Sequence, residues 1–109
     1  LSQKDFIKVC SKTNGRCFYC NAGGEEIDHF VSKEKWRQMD LENTPLAGQL
    51  NNLDNLFLSC KSCNISKKDK DPEDFMGHWT IAWKRYLKAN QRIGLEKEFS
   101  VNQFVYGYV

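Results

Sequence analysis

The sequence predicts an α+β fold, in which two short strands are flanked by helices and drawn together by four cysteines. Three observations predict it. Two brief runs, the mixed 26–31 and the apolar 56–58, are too short for helices and are bounded by turn residues, which reads as strand. Around them lie segments whose apolar residues follow helical spacing and whose ends carry start and stop signals. Two Cys-x2-Cys pairs, Cys17/Cys20 and Cys60/Cys63, stand close to the two strands in the chain. With 109 residues there is room for one modest core. Residues 1–109 are therefore expected to form a single domain, with a central unit over about 15–70 and a helical C-terminal extension over 71–109.

The elements follow in order. Ser2, with Asp5 three residues on, has the chemistry of a helix N-cap with an acid in the first turn. Phe6, Ile7, Val9 and Cys10 supply an apolar helical face to about Thr13, and Asn14-Gly15 stops the helix and turns the chain. Cys17-Phe18-Tyr19-Cys20, the flexible Asn21-Ala22-Gly23-Gly24 and the first strand come next. Residues 32–52 form a long connection, with a helical turn or two over Lys33 to Met39 and loop at Thr44-Pro45 and Gly48. A connection this long inside a compact domain is usually functional. The second strand runs directly into Cys60. Asn64 to about Lys70 predicts a short basic helix, and Asp71-Pro72 predicts the cap and first position of a longer one ending near Gln91, before Gly94. Its residues Phe75, Met76, Trp79, Ala82, Trp83, Tyr86 and Leu87 form a stripe that reads as core, and His78 is assigned to packing or surface. The aromatic tail over 95–109 is strand-like and is given no role.

Composition narrows the class. Apolar residues at 40% and charged residues at 28% exclude a collagenous or largely disordered chain. No apolar run approaches the ~20 residues of a membrane span, and no signal peptide is visible, so no membrane partner is expected. The chain begins at Leu1 without a methionine, which fits part of a larger protein. Net charge is only +2 but unevenly placed: 61–92 carries eight Lys/Arg against four acids, whereas the first sixty residues carry seven against eight. That asymmetry fits a phosphate backbone as partner, and it also fits a solvated helix face.

Five cysteines are an odd set for a secreted disulfide framework, and the reading is a reducing, cytoplasmic setting. Two residues between cysteines let both thiolates of a turn reach one tetrahedral ion. Cys17, Cys20, Cys60 and Cys63, two pairs 39 residues apart, therefore read as a closed structural Zn2+ site. Disulfides and a redox-active Cys-x2-Cys are the competing readings. Cys10 reads as a buried helix residue rather than a fifth ligand.

Between and just after these pairs lie Ile27-Asp28-His29, Asn55 and Asn64. Cys17-x2-Cys20, Ile27-Asp28-His29 and Asn55 through Cys60-x2-Cys63-Asn64-x2-Lys67, in that order, resemble the HNH endonucleases, the zinc-bound branch of the ββα-metal nucleases. The resemblance covers roughly 15–70 and follows the Asp-His…Asn…Asn variant, in which Asn64 stands where the family name has its last histidine. It implies a ββα-metal finger: a two-stranded antiparallel hairpin plus a short helix, with the zinc knuckles clamping the hairpin and helices flanking it. It implies His29 as general base, Asp28 and Asn64 as ligands of one catalytic Mg2+ or Mn2+, and Asn55 as the residue that orients His29 or braces the loop. Lys67 and Lys68 are candidates for contact with a phosphate. The implied substrate is double-stranded DNA, with RNA also open, cut to leave 5′-phosphate and 3′-hydroxyl ends in a bacterial or phage-encoded setting. One site cuts one strand, so cutting both would need a homodimer or two binding events.

The residue types suit that chemistry without the family name. An imidazole with its ordinary pKa near ~6.5 is largely in the base form at neutral pH. A hard cation prefers oxygen ligands, which Asp and Asn supply while leaving positions open for water and phosphate. Four thiolates would fill the zinc sphere and leave it no such role. Neighbouring residues on a regular strand point to opposite faces, so Asp28 and His29 can share a site only where the strand ends or bulges. The alternative function is a non-catalytic zinc-stapled module that binds nucleic acid.

Overall fold

The computed structural model describes residues 1–40, 47–68, 70, 75–77 and 79–95. Helix α1 (Gln3–Ser11) starts where the Ser2 hydroxyl accepts the Asp5 N–H at 3.1 Å, as the cap chemistry predicts. It ends at Lys12, and Asn14 and Gly15 follow with φ of 54° and 76°, the left-handed turn that Asn and Gly adopt at least cost. The apolar face is narrower than expected: Val9 is buried, whereas Phe6 and Ile7 are exposed.

Strand β1 (Glu26–His29) pairs antiparallel with β2 (Leu56–Ser59) in the register Glu26↔Ser59, Ile27↔Leu58, Asp28↔Phe57 and His29↔Leu56. The ladder continues past each end, through Glu25 N–H to the Ser59 carbonyl at 2.9 Å and Phe30 N–H to the Asn55 carbonyl at 2.8 Å. Between the strands come α2 (Lys33–Gln38), capped by the Ser32 hydroxyl, and two 3₁₀ turns, Ala47–Asn51 and Leu53–Asn55. Thr44-Pro45 lies outside the described residues. Helix α3 (Lys61–Lys67) leaves β2 after Cys60 and packs on β1. It begins three residues earlier than the basic run suggested, because the Cys60 sulfur serves as its cap.

The long helix expected over 71–91 is not continuous. Helix α4 occupies Trp79–Gln91, and Gly77 sits before it with φ of 87°, a conformation no helix contains. Asp71-Pro72, His78 and residues 96–109 lie outside the described residues. Of the expected stripe, Ala82, Trp83 and Tyr86 are buried and Phe75, Met76 and Leu87 pack against them, while the side chain of Trp79 lies outside what is described.

Aromatic rings carry most of that core. Phe18 meets Phe57 with centroids 4.1 Å apart, Phe30 meets Tyr86 at 4.7 Å, and Trp83 stacks on Tyr86 at 4.8 Å. Polar contacts fix the direction of α4: the Tyr86 hydroxyl donates to Asp54 Oδ2 at 2.8 Å and Asn90 Nδ2 to the Asp54 carbonyl at 3.2 Å. Lys12, 1% exposed, ties the end of α1 to β2 by donating to the carbonyls of Leu53 at 2.8 Å and Leu56 at 2.6 Å, with its nitrogen 3.6 Å from the Phe57 ring centroid. Burial pushes its ammonium down to about 7, opposed by the carboxylate of Asp54. Two protons remain for the two carbonyls in either state. Among the described residues, no helix is long and apolar enough to cross a membrane.

Candidate functional site

The four paired cysteines are delivered by two turns of different construction. After α1, Gly15 N–H closes on the Cys10 carbonyl at 2.9 Å. Cys17 N–H then donates to the Ala22 carbonyl at 2.6 Å and Asn21 N–H to the Cys17 carbonyl at 2.9 Å, with Asn21 left-handed at φ 67°. Phe18 N–H donates to the Leu58 carbonyl at 2.9 Å, which fastens this turn to β2. The chain returns past β2 at Gly24, where a Cβ would run into the Leu58 side chain. The second turn opens α3, and the Cys60 sulfur accepts the Cys63 N–H at 3.4 Å.

All four sulfurs lie within 4.8 Å of one another, with Cys20 and Cys60 Sγ 3.7 Å apart. A tetrahedral zinc with Zn–S bonds near 2.3 Å has sulfur–sulfur edges of about 3.8 Å, whereas a disulfide bond is about 2.05 Å. The separation fits the first, and all five cysteines are free thiols. Charge argues the same way. At Cys17 burial raises the thiol, but the backbone groups of Cys60, Cys20 and Tyr19 and the Cys20 side chain outweigh it and bring it down to about 7. At Cys63 burial, the other three cysteine side chains and the charge of Cys17 all push the thiol upward. The Cys17 thiolate forms readily while Cys20 and Cys63 hold their protons, so a bound cation would favour bringing the thiolates together in this volume. The cluster is placed to hold a metal ion and is consistent with structural zinc. Cys10 is half-buried on α1 and outside the cluster.

Beside this centre, β1 and α3 bring polar side chains into one seam. Glu26 and Asp28, two apart on the strand, face the helix. Glu26 Oε2 accepts from Asn64 Nδ2 at 2.5 Å, and Asp28 Oδ2 lies 3.3 Å from Lys67 Nζ. The Tyr19 hydroxyl donates to the same Asp28 oxygen at 2.5 Å. Lys67 also donates to the His29 carbonyl at 3.0 Å.

The structure places the other candidates as follows. His29 is the last residue of β1, and its ring turns away from the seam to put Nε2 2.8 Å from Asn51 Oδ1. Among the described residues, the His29 ring and the Asp28 carboxylate are not in hydrogen-bond contact, and Lys67 joins the two residues. Asn55 is wholly buried: its Oδ1 accepts Val31 N–H at 2.8 Å, and its Nδ2 donates to the carbonyls of Leu50 at 2.8 Å and Val31 at 3.2 Å. Those bonds pin the segment leaving β1 to the segment entering β2. Lys67, expected at a phosphate, is 0% exposed with its ammonium turned inward onto Asp28, because the seam needs a positive charge between carboxylate and carbonyl. Lys68 is exposed at the end of α3, left-handed at φ 47°.

Three participants escaped the sequence reading: Glu26, Tyr19 and Asn51. For Glu26 a signal existed, since strand period places it on the face of Asp28. Tyr19 and Asn51 reach their partners only through the turns of the folded chain. Compared with models of protein families and with curated proteins, the chain matches none.

Proposed function

We propose that the protein is a metal-dependent endonuclease of the HNH type, hydrolysing phosphodiester bonds of double-stranded DNA on a zinc-stapled ββα-metal finger. The observation that carries this reading is the β1–α3 seam beside the cysteine centre, with Asp28 and Asn64 on facing elements and His29 at the strand end. The seam offers a carboxylate and an amide, the oxygen donors a hard divalent cation takes. Among the described residues both contacts on Asp28 fall on Oδ2, which leaves Oδ1 open to a cation, and the Lys67 ammonium opposes a second cation on Oδ2 itself. A carboxylate only accepts, so Glu26 draws the Asn64 amide nitrogen toward itself and frees Oδ1 as a ligand. Mg2+ or Mn2+ held by Asp28 and Asn64 would neutralise charge on the phosphate and on the departing oxygen.

The protein's own groups supply the rest. The Asn51 oxygen accepts, so His29 Nε2 carries the ring proton and Nδ1 keeps the lone pair. In hydrolysis Nδ1 takes one proton from water as its oxygen bonds to phosphorus. The bond from phosphorus to the 3′ oxygen breaks, and that oxygen takes a proton from solvent. The ends are a 5′-phosphate and a 3′-hydroxyl. Asn55 braces the two segments that present His29 and Asn51.

The test is conversion of supercoiled plasmid to nicked circles with Mg2+ or Mn2+, comparing native protein with His29→Ala. Loss of a general base removes about 10²–10⁴-fold in rate. A native protein that leaves plasmid intact, or a His29→Ala variant that cuts equally fast, refutes the reading. A second reading, a zinc-stapled module that binds nucleic acid without cutting it, is favoured by the ion pairing of Asp28 with Lys67, which already gives the carboxylate a counter-charge without a metal.

A further inference from the structure

We infer that a groove between the first cysteine turn and α4 binds the sugar–phosphate backbone of duplex DNA, as a surface separate from the β1–α3 seam and independent of any hydrolysis there. The groove is open to solvent and holds ≈ 530 Å³. Arg16 lines one wall, and Arg85, Lys88 and Arg92 line the other, all four exposed. Lys12 lies at its floor. No acid lines the groove among the described residues.

The spacing of these cations suits a polyanion. Positions 85, 88 and 92 are three and four residues apart, so they share one face of α4 and its final turn. Seven residues of helix span about 10 Å, the axial distance over which one DNA strand presents about three phosphates. One basic residue near a helix C-terminus is accounted for by the helix dipole; three on a face opposite a fourth cation are not. Part of the set is anchored: Arg85 Nη1 donates to the Tyr19 carbonyl at 3.0 Å and Arg16 Nη1 to the Asn21 carbonyl at 3.2 Å, leaving the other guanidinium nitrogens for phosphate oxygens.

Thr13 also lines the groove, though its hydroxyl oxygen is itself buried beneath the surface. The cysteine centre reinforces the need for several cations. Zinc with four thiolates carries a charge of −2 beside the groove, and the four exposed cations still leave a surplus of positive charge. Lys67, buried in the seam, supplies none of it. Tyr19 separates the two surfaces, with its carbonyl bound to Arg85 and its hydroxyl to Asp28.

The experiment measures binding of a fluorescent 20-base-pair DNA duplex by anisotropy across a salt series. It uses zinc-loaded protein without Mg2+ or Mn2+, so cleavage does not enter. Each phosphate neutralised contributes about 0.9 to the slope of log affinity against log salt. The variant Arg16→Gln/Lys88→Gln/Arg92→Gln spares Arg85 and should flatten the slope by about 2–3 and weaken binding at least tenfold at 0.1 M salt. A control of equal charge change on exposed lysines outside the groove, Lys4→Gln/Lys8→Gln/Lys33→Gln, should change the slope by less than about 1. Unchanged zinc content and melting temperature show that both variants are folded. A native protein that fails to bind the duplex at low salt, a groove variant with an unchanged slope, or a control with an equal loss overturns the proposal. Native protein that binds the duplex in this assay yet leaves plasmid intact with Mg2+ or Mn2+ counts against the nuclease reading alone.

Discussion

Replacement of Asn55 by alanine should be among the most damaging single changes in the described part of the chain. The side chain is wholly buried and makes three hydrogen bonds, all to backbone: one accepted from Val31 N–H, one donated to the Val31 carbonyl and one to the Leu50 carbonyl. Val31 is itself 0% exposed, so water cannot replace the lost partner at its N–H. A buried backbone group left without a partner costs about 1–3 kcal/mol. The Val31 carbonyl bond is longer, and the Leu50 contact is only part-buried, so those two count for less. The sum is about 3–5 kcal/mol, against a total stability of about 5–15 kcal/mol for a domain of this size. Equilibrium urea unfolding of zinc-loaded protein, followed by tryptophan fluorescence and by circular dichroism, measures it. Asn55→Asp separates the components, since it keeps the acceptor for Val31 N–H but loses both donated bonds and buries a charge. It should be at least as unstable as Asn55→Ala at neutral pH and recover as the carboxylate is protonated in acid. A cost below about 1 kcal/mol for Asn55→Ala would refute the view that this amide clamps the two segments.

Other outcomes follow from the same contacts. Native protein should carry one zinc per chain by elemental analysis, and chelation should abolish the cooperative melt, because a two-stranded sheet this short is not stable alone; an apo-protein that melts like the native one rules out a structural ion. Lys12 holds its proton less tightly in the folded state than in the unfolded chain, so unfolding takes up a proton between about pH 7 and the ordinary value of 10.5, and stability rises with pH across that window. The rise should reach a few kcal/mol and be absent from Lys12→Met, which is less stable overall because the Leu53 and Leu56 carbonyls lose their donor; parallel stability–pH curves for the two proteins would contradict it. Lys67→Met should cost about 3 kcal/mol by leaving the Asp28 carboxylate without its cation, and adding Asp28→Leu should restore most of that; additive losses in the double-mutant cycle would show that the pair is not coupled.

Much of the local architecture was legible in the sequence because it is written in short-range chemistry. The Ser2 cap, the Asn14-Gly15 stop, the two strands and the paired cysteine turns each depend on neighbours a few residues away. The interior of the seam was not legible. Lys67 in a basic run next to Lys68 reads as surface, and only the fold, which brings α3 against β1 across 38 residues, converts it into a buried counter-ion. The bond from Asn51 to His29 spans 22 residues across a long connection without a turn signature at that point. Gly77 inside an apolar stripe of helical period reads as tolerated, since glycine in a helix costs only about 1 kcal/mol. Its left-handed backbone nevertheless divides the stripe, and the aromatic residues on both sides still reach one core. Phe6 and Ile7 failed for the opposite reason: periodicity marks an apolar face but does not say how wide a neighbour will cover it.

The polar seam is hard to account for as scaffold alone. Glu26 and Asp28 bring two acids to one face of a strand, and Tyr19, Asn64 and Lys67 are spent holding them. Buried ion pairs are seldom more stabilising than well-packed apolar residues of similar volume. The sulfur cluster already joins the two turns that frame β1 and β2, and the aromatic core already fixes α4, so the seam adds little that the fold lacks. Among the described residues its geometry leaves one oxygen of Asp28 and the amide oxygen of Asn64 without a partner, and outside the seam one ring nitrogen of His29, each with its neighbouring atom held by an identified partner. Holding one end of a polar group while leaving the other unfilled orients it at a cost in stability. That cost is the one expected if the proposed cation and phosphate are received there, and the plasmid assay with His29→Ala separates that proposal from a zinc-stapled module that only binds.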